Sequence, residues 1–153
     1  MPIYTFRHPA LFLNAVEIEE VRNRPERAPW SRAFDRLIDS ADAALLREPE
    51  PVEGEYVPEG RSRLFRDCGA ARDLGLAFAL TGEERYARRA AVYLLAWSGA
   101  MAPRFSSASV AADLCAALSA LCYGVDLVWK ARGFTGQDKN QVARWGKENG
   151  VLG

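Results

Sequence analysis

The residues in this chain best suited to holding charge fall between positions 48 and 66. That stretch, EPEPVEGEYVPEGRSRLFR, opens with Glu48, Glu50, Glu53 and Glu55 and closes with Arg61, Arg63 and Arg66, with Tyr56 between. Guanidinium forks match carboxylates edge to edge, and an aromatic ring offers a face on which a sugar or base can stack. Tyr56, Arg61, Arg63 and Arg66 are therefore the candidate binding residues, and the ligand they suit is anionic. Local neutralisation between the acidic and basic halves is the simpler alternative.

Other reactive side chains are sparse. The single histidine, His8, has no cluster around it, and Cys68, Cys115 and Cys122 form an odd set without a CxxC pair. Cys115 and Cys122 lie seven apart, on one helical face, and read as small buried hydrophobes. Nothing in the sequence asks for a metal or a cofactor. Asp126 sits among Tyr123, Val125, Leu127 and Val128, so it is expected to be partly buried and hydrogen-bonded to a neighbouring helix rather than catalytic.

The elements that must position these residues are helical. From Arg66 to Ser98 two amphipathic stretches meet at Thr81-Gly82: Ala70, Ala71, Leu74, Ala77 and Phe78 recur at helical steps on the first, and Tyr86, Ala87, Ala90, Ala91, Leu94 and Trp97 on the second. Gly82 suits a helix end in the left-handed conformation, and Glu83 and Glu84 suit the positive start of the next helix. Residues 1–13 are extended in character. Asn14 with Glu17 reads as a capping box for a helix from Ala15 to about Arg24, stopped by Pro25. A second helix runs from Pro29-Trp30 to about Arg47, with Trp30 expected to anchor its start. Residues 48–65 lack a helical period and read as a long loop, a type that tends to be functional or mobile. Ser106, Ser107 and Ser109 offer caps for a long helix, about Ala108 to Ala131. Thr135 with Asp138 opens a last helix through Trp145, which Gly146, Gly150 and Gly153 are expected to end. The class is all-α, built of antiparallel helical hairpins in a single domain over 1–153.

Composition excludes several functions. Twenty basic residues balance twenty acidic ones, so no global field draws the chain to nucleic acid or to a membrane surface. No apolar run is expected to reach a membrane span of about 20 residues. The start, MPIYTFRHPALFL, lacks a signal-peptide pattern, implying a cytoplasmic protein or one whose leader has been removed.

Several of these segments carry a family resemblance. His8-Pro9-Ala10-Leu11-Phe12-Leu13, the short acidic helix and Pro29-Trp30 resemble the N-terminal entry of alginate lyases and related uronate-polysaccharide lyases. Ala71-Arg72-Asp73-Leu74, Ala79-Leu80-Thr81-Gly82 and Tyr86-Ala87 are similar to their first toroid hairpin, which Leu94-Leu95-Ala96-Trp97 and Tyr123-Gly124-Val125-Asp126-Leu127 continue. Gln141 to Trp145 looks like the helix preceding their catalytic stretch. The resemblance implies a partial (α/α)n toroid, the first half of a family member, with an acidic polysaccharide as partner and a periplasmic or secreted location. Such enzymes work by β-elimination, with an Asn-His pair supplying much of the chemistry. This sequence has no Asn-His pair, so no catalytic residue carries over and the chain reads as a truncated domain without turnover. Leu74, Gly75, Phe78 and Ala87 also fall at tetratricopeptide spacing, but no second copy occurs at a period of about 34 residues. A repeat-type interaction module and a plain structural helical domain remain the alternatives. A half-toroid is further expected to expose an apolar face, on the long helix, through which it self-associates.

Overall fold

Helix α3 (Arg61–Thr81) is the axis on which the other helices pack. In this computed structural model, which describes residues 7–24 and 29–149, it is flanked by α2 (Trp30–Leu45), α4 (Glu84–Ala100) and α5 (Ala108–Val128), with α1 (Ala15–Arg22) on its C-terminal half. The last helix, α6 (Gly136–Glu148), packs on α4. Leu64, Cys68, Ala71 and Leu74 on α3 are fully buried, as are Leu94 on α4 and Leu114 on α5. Burying such a leucine contributes about 1.5–3 kcal/mol. Trp97 is buried as expected, whereas Phe78 is only partly buried at the edge of the core.

Two glycines set the geometry. Gly82 adopts φ 76°, so its chain turns left-handed between α3 and α4 and its N–H caps Phe78 O at 2.7 Å. Gly124 lies where α5 meets α3, and a Cβ there would stand 2.9 Å from the Ala71 carbonyl oxygen. The two backbones approach that closely because neither carries bulk at the contact.

Helix starts follow local capping. Asn14 and Glu17 form a reciprocal box at α1, and Thr135 and Asp138 form another at α6. Ser107 caps α5 through a 3.3 Å bond from Val110 N–H.

Several boundaries differ from the expectation. The loop of 48–65 ends at Gly60, after a 3-10 turn over Pro58–Gly60, and the basic segment is already helix. Leu64 and Cys68 continue the buried stripe of α3 toward its start, a period that the intervening arginines obscure. The loop is also pinned: Val52 and Tyr56 are buried, and Gly54–Glu55 (β1) pairs in parallel with Met101–Ala102 (β2). Trp30 is half-exposed rather than an anchor. Gly146 does not end α6 but lies buried within it. The extended start at 1–6, the break at Pro25 and the end from Gly150 lie outside the described residues.

Helix α5 also departs from two readings. With 21 residues and a mean hydropathy of 1.6 over its best window, it is by length and composition apolar enough to cross a membrane. Here it packs on α3, and its large side chains Leu114, Leu118, Leu121, Leu127 and Val128 are buried. What it leaves exposed is the small-residue flank Ala112, Cys115, Ala116 and Ser119 rather than the broad stripe expected, and Cys115 is exposed where a buried position was expected.

Candidate functional site

The candidate residues sit at the end of the bundle where the 51–60 loop meets the start of α3. Tyr56 is buried because β1 carries the chain across β2, and its N–H reaches Ala102 O at 3.4 Å. From there its hydroxyl donates to Asp113 Oδ2 on α5 at 3.0 Å. Arg61, the first residue of α3, donates from Nε to Asp113 Oδ1 at 2.8 Å. One carboxylate thus holds both candidate groups.

The electrostatics follow from that sharing. The hydrogen bond from Arg61 and, secondarily, that from Tyr56 hold the Asp113 carboxyl below its ordinary range, against a partial desolvation. Burial, then the bond to Asp113, pushes the Tyr56 phenol up to about 12. Near neutral pH Tyr56 is therefore a donor and cannot serve as a general base. The Arg61 guanidinium lies 5.0 Å from the centre of the Phe65 ring, and its side chain is 63% exposed. Its Nη donors make no hydrogen bond among the described residues. An oriented guanidinium with one edge engaged and the other open can receive a carboxylate in a bidentate grip.

The other two arginines are not part of this group. Two helical residues turn about 200° and five turn about 140° beyond a full turn, so Arg61, Arg63 and Arg66 point different ways. Arg66 donates from Nε to Asp67 at 2.9 Å, and its Nη2 lies 3.3 Å from Glu50 without hydrogen-bond alignment. Asp67, buried, also accepts from Glu50 N–H at 2.7 Å and from Trp97 Nε1 at 3.1 Å. Arg66 is thus committed to tying the loop to the core, which corrects its place beside Tyr56. Arg63 is partly exposed and has no ion pair or hydrogen bond among the described residues.

Asp113 and Asp67 are the partners of the candidate residues that the sequence conceals. Each is one acid inside a helix, and apart from Arg66, next to Asp67, their partners lie 17 to 57 positions away. Only the isolation of Asp113 in the apolar run AADLCAAL signals that something must satisfy it.

Asp126 is buried as expected, but its partner is the N-terminal segment rather than a helix. It accepts from Ala10 N–H at 2.7 Å, from Leu11 N–H at 2.8 Å and from the His8 Nδ1–H. The His8 ring packs on Trp129 and the Phe12 ring on Tyr123, each with centroids 4.9 Å apart. His8 is therefore a docking residue. Burial raises the Cys68 and Cys122 thiols above their ordinary value, so neither is a poised nucleophile. Among the described residues no group of three or more metal-ligating side chains comes together.

A family model described as alginate lyase matches residues 46–149, the span that carries α3, α4, α5 and α6. The chain belongs to the alginate lyase family. An alginate lyase from Bacteroides ovatus, solved as a crystal structure at 1.60 Å, shares its fold with a TM-score of 0.75 at 16% identity. The alignment covers 93% of this chain and 52% of that one, so the chain spans about half the length of that lyase. No curated protein matches it. The helical-hairpin architecture of this family member is thus an α/α arrangement, as the resemblance implied.

Proposed function

We propose that this chain binds an acidic uronate polysaccharide at its loop end and does not by itself cleave it. The observation that carries the reading is the Arg61 guanidinium, oriented by Asp113 and Phe65, with its Nη edge open. Family membership supplies the substrate class, and Arg63, which makes no ion pair among the described residues but lies about 200° round the helix from Arg61, adds only to the positive field at the start of α3. Tyr56 acts through Asp113, holding the carboxylate that aims Arg61. Arg66 serves the scaffold. Cleavage by β-elimination needs a base near a sugar C–H and a stabiliser of the developing anion. Tyr56 is too weakly acidic to be that base, and the sequence carries no Asn-His pair.

The test is calorimetric titration of an alginate oligomer into wild type and an Arg61→Ala/Arg63→Ala variant. Wild type is expected to bind weakly, and less as salt rises, because exposed charges are screened over about 8–10 Å. The double variant is expected to lose binding. Equal binding by both proteins would remove this surface from the site, and release of unsaturated sugar by wild type would overturn the second half of the reading.

A further inference from the structure

A cleft lies at the far end of α3 from Arg61, between the N-terminal segment with α1 and the ends of α3 and α5. It is made of two hollows, of about 670 and 300 Å³, that share Pro9, Ala15 and Lys130. Each falls in the range of small-molecule sites, roughly 300–1,000 Å³. Arg61 and Phe78 stand near opposite ends of the 21-residue α3, a helix about 30 Å long, so the cleft is separate from the loop end.

Both walls are held by the protein's own bonds. Asp126 fixes the N-terminal wall through the N–H groups of Ala10 and Leu11, at 2.7 and 2.8 Å. Arg22 donates from Nε to Ala79 O at 2.9 Å and ties α1 to the end of α3. The inner half is apolar: Ile18, Phe78 and Leu127 line it, and Ile18 and Leu127 belong to a small core cluster of their own. The mouth carries Arg7 and Lys130, both exposed and without an ion pair or hydrogen bond among the described residues. The acids beside them are engaged. Glu19 lies 3.5 Å from Arg22 Nη1, Glu17 accepts from Asn14 N–H, and Asp126 is filled by Ala10, Leu11 and His8.

We infer that this cleft binds a monocarboxylate bearing a short hydrocarbon chain, with Arg7 and Lys130 on the carboxylate and Pro9, Ala15, Ile18, Phe78 and Leu127 along the chain. Two cations with no partner of their own favour an anion at the mouth. The inner half favours hydrocarbon, where each methylene removed from water adds about fourfold to affinity. A sugar acid would set hydroxyls against Ile18, Phe78 and Leu127, which offer no hydrogen bond. Inorganic phosphate would meet the cations but leave the apolar half wet. Leu11, Phe12 and Val16 are exposed nearby, yet Glu17, Glu19 and Glu20 are exposed on the same side of the chain and repel an anionic lipid surface. A free acid is the occupant that suits both halves.

The experiment follows the backbone amide resonances of Ala15, Val16 and Ile18 while octanoate, butyrate, octanol or inorganic phosphate is added to the full chain. Octanoate is expected to shift them saturably, butyrate to bind at least about tenfold more weakly for want of buried methylenes, and octanol to bind more weakly than octanoate. An Arg7→Gln/Lys130→Gln variant is expected to lose about tenfold in octanoate affinity, the sum of two exposed charge contacts. Ala15→Glu, which puts a like charge where the hollows meet, is expected to abolish binding. All three positions are exposed, and an acid suits the first turn of a helix, so folding is preserved. Arg61→Ala is expected to bind octanoate as wild type does. No saturable shift, equal affinity for butyrate or phosphate, or wild-type titration by the double variant would overturn the inference. So would capture by phosphatidylglycerol vesicles in place of octanoate, or loss of octanoate binding in Arg61→Ala.

Discussion

Asp67 and Asp126 are buried carboxylates whose acceptors are filled by the protein's own donors, whereas Asp113 shares itself with an exposed guanidinium. The first two bind segments that would otherwise lie loose: Asp67 holds Glu50 at the start of the loop, and Asp126 holds residues 8–11. Backbone N–H groups and an indole cannot leave for a ligand. Arg61 can turn its open edge to one without giving up Asp113. The difference separates the acids that hold the scaffold from the one on which the proposed site depends, although all three look alike as isolated aspartates in helices.

The comparison breaks first at Asp67. Removing one partner from a buried charged network costs about 3–5 kcal/mol, so Asp67→Ala should lower the unfolding free energy by that order in a urea titration. A loss no larger than for a surface substitution would mean that the Asp67 network does not hold the loop. Asp126→Ala should cost less, about 1–3 kcal/mol, because the N-terminal segment can release its N–H groups to water. Hydrogen exchange would show it directly, as lost protection at Ala10 and Leu11 with protection in α3 retained.

A pH dependence sharpens the contrast. The Tyr56 phenol is raised from an ordinary 10.0 to about 12. A group raised on folding stabilises the fold fully below its unfolded value and loses that contribution as pH rises through the folded one. Unfolding free energy should therefore fall between about pH 10 and 12, and Tyr56→Phe should flatten part of that slope. Burial also raises Tyr86 and Tyr93, so a residual slope remains. An unchanged slope in Tyr56→Phe would mean that neither burial nor the bond to Asp113 raises this phenol.

Much of the architecture was legible because it depends on near neighbours. The Asn14–Glu17 and Thr135–Asp138 boxes, the Gly82 turn and the stripes of α3 and α4 are encoded within a few residues each. The start of α3 was hidden because Arg61, Arg63 and Arg66 interrupt the apolar period that Leu64 and Cys68 carry inward. The arrangement of the candidate residues was only partly legible. Composition singled out Tyr56 and Arg61, but sequence proximity grouped Arg66 with them, when helical rotation turns it toward Asp67. Asp113 was invisible as a partner, since nothing local links α5 to a loop more than fifty residues earlier.

The most direct test is Asp113→Asn, read by both stability and binding. The amide keeps an oxygen for Tyr56 but removes the charge that orients Arg61. The account predicts an unfolding midpoint close to wild type and a weaker grip on an alginate oligomer at low salt, approaching that of Arg61→Ala. A variant that unfolds as readily as Asp67→Ala, or that binds as tightly as wild type, would contradict it.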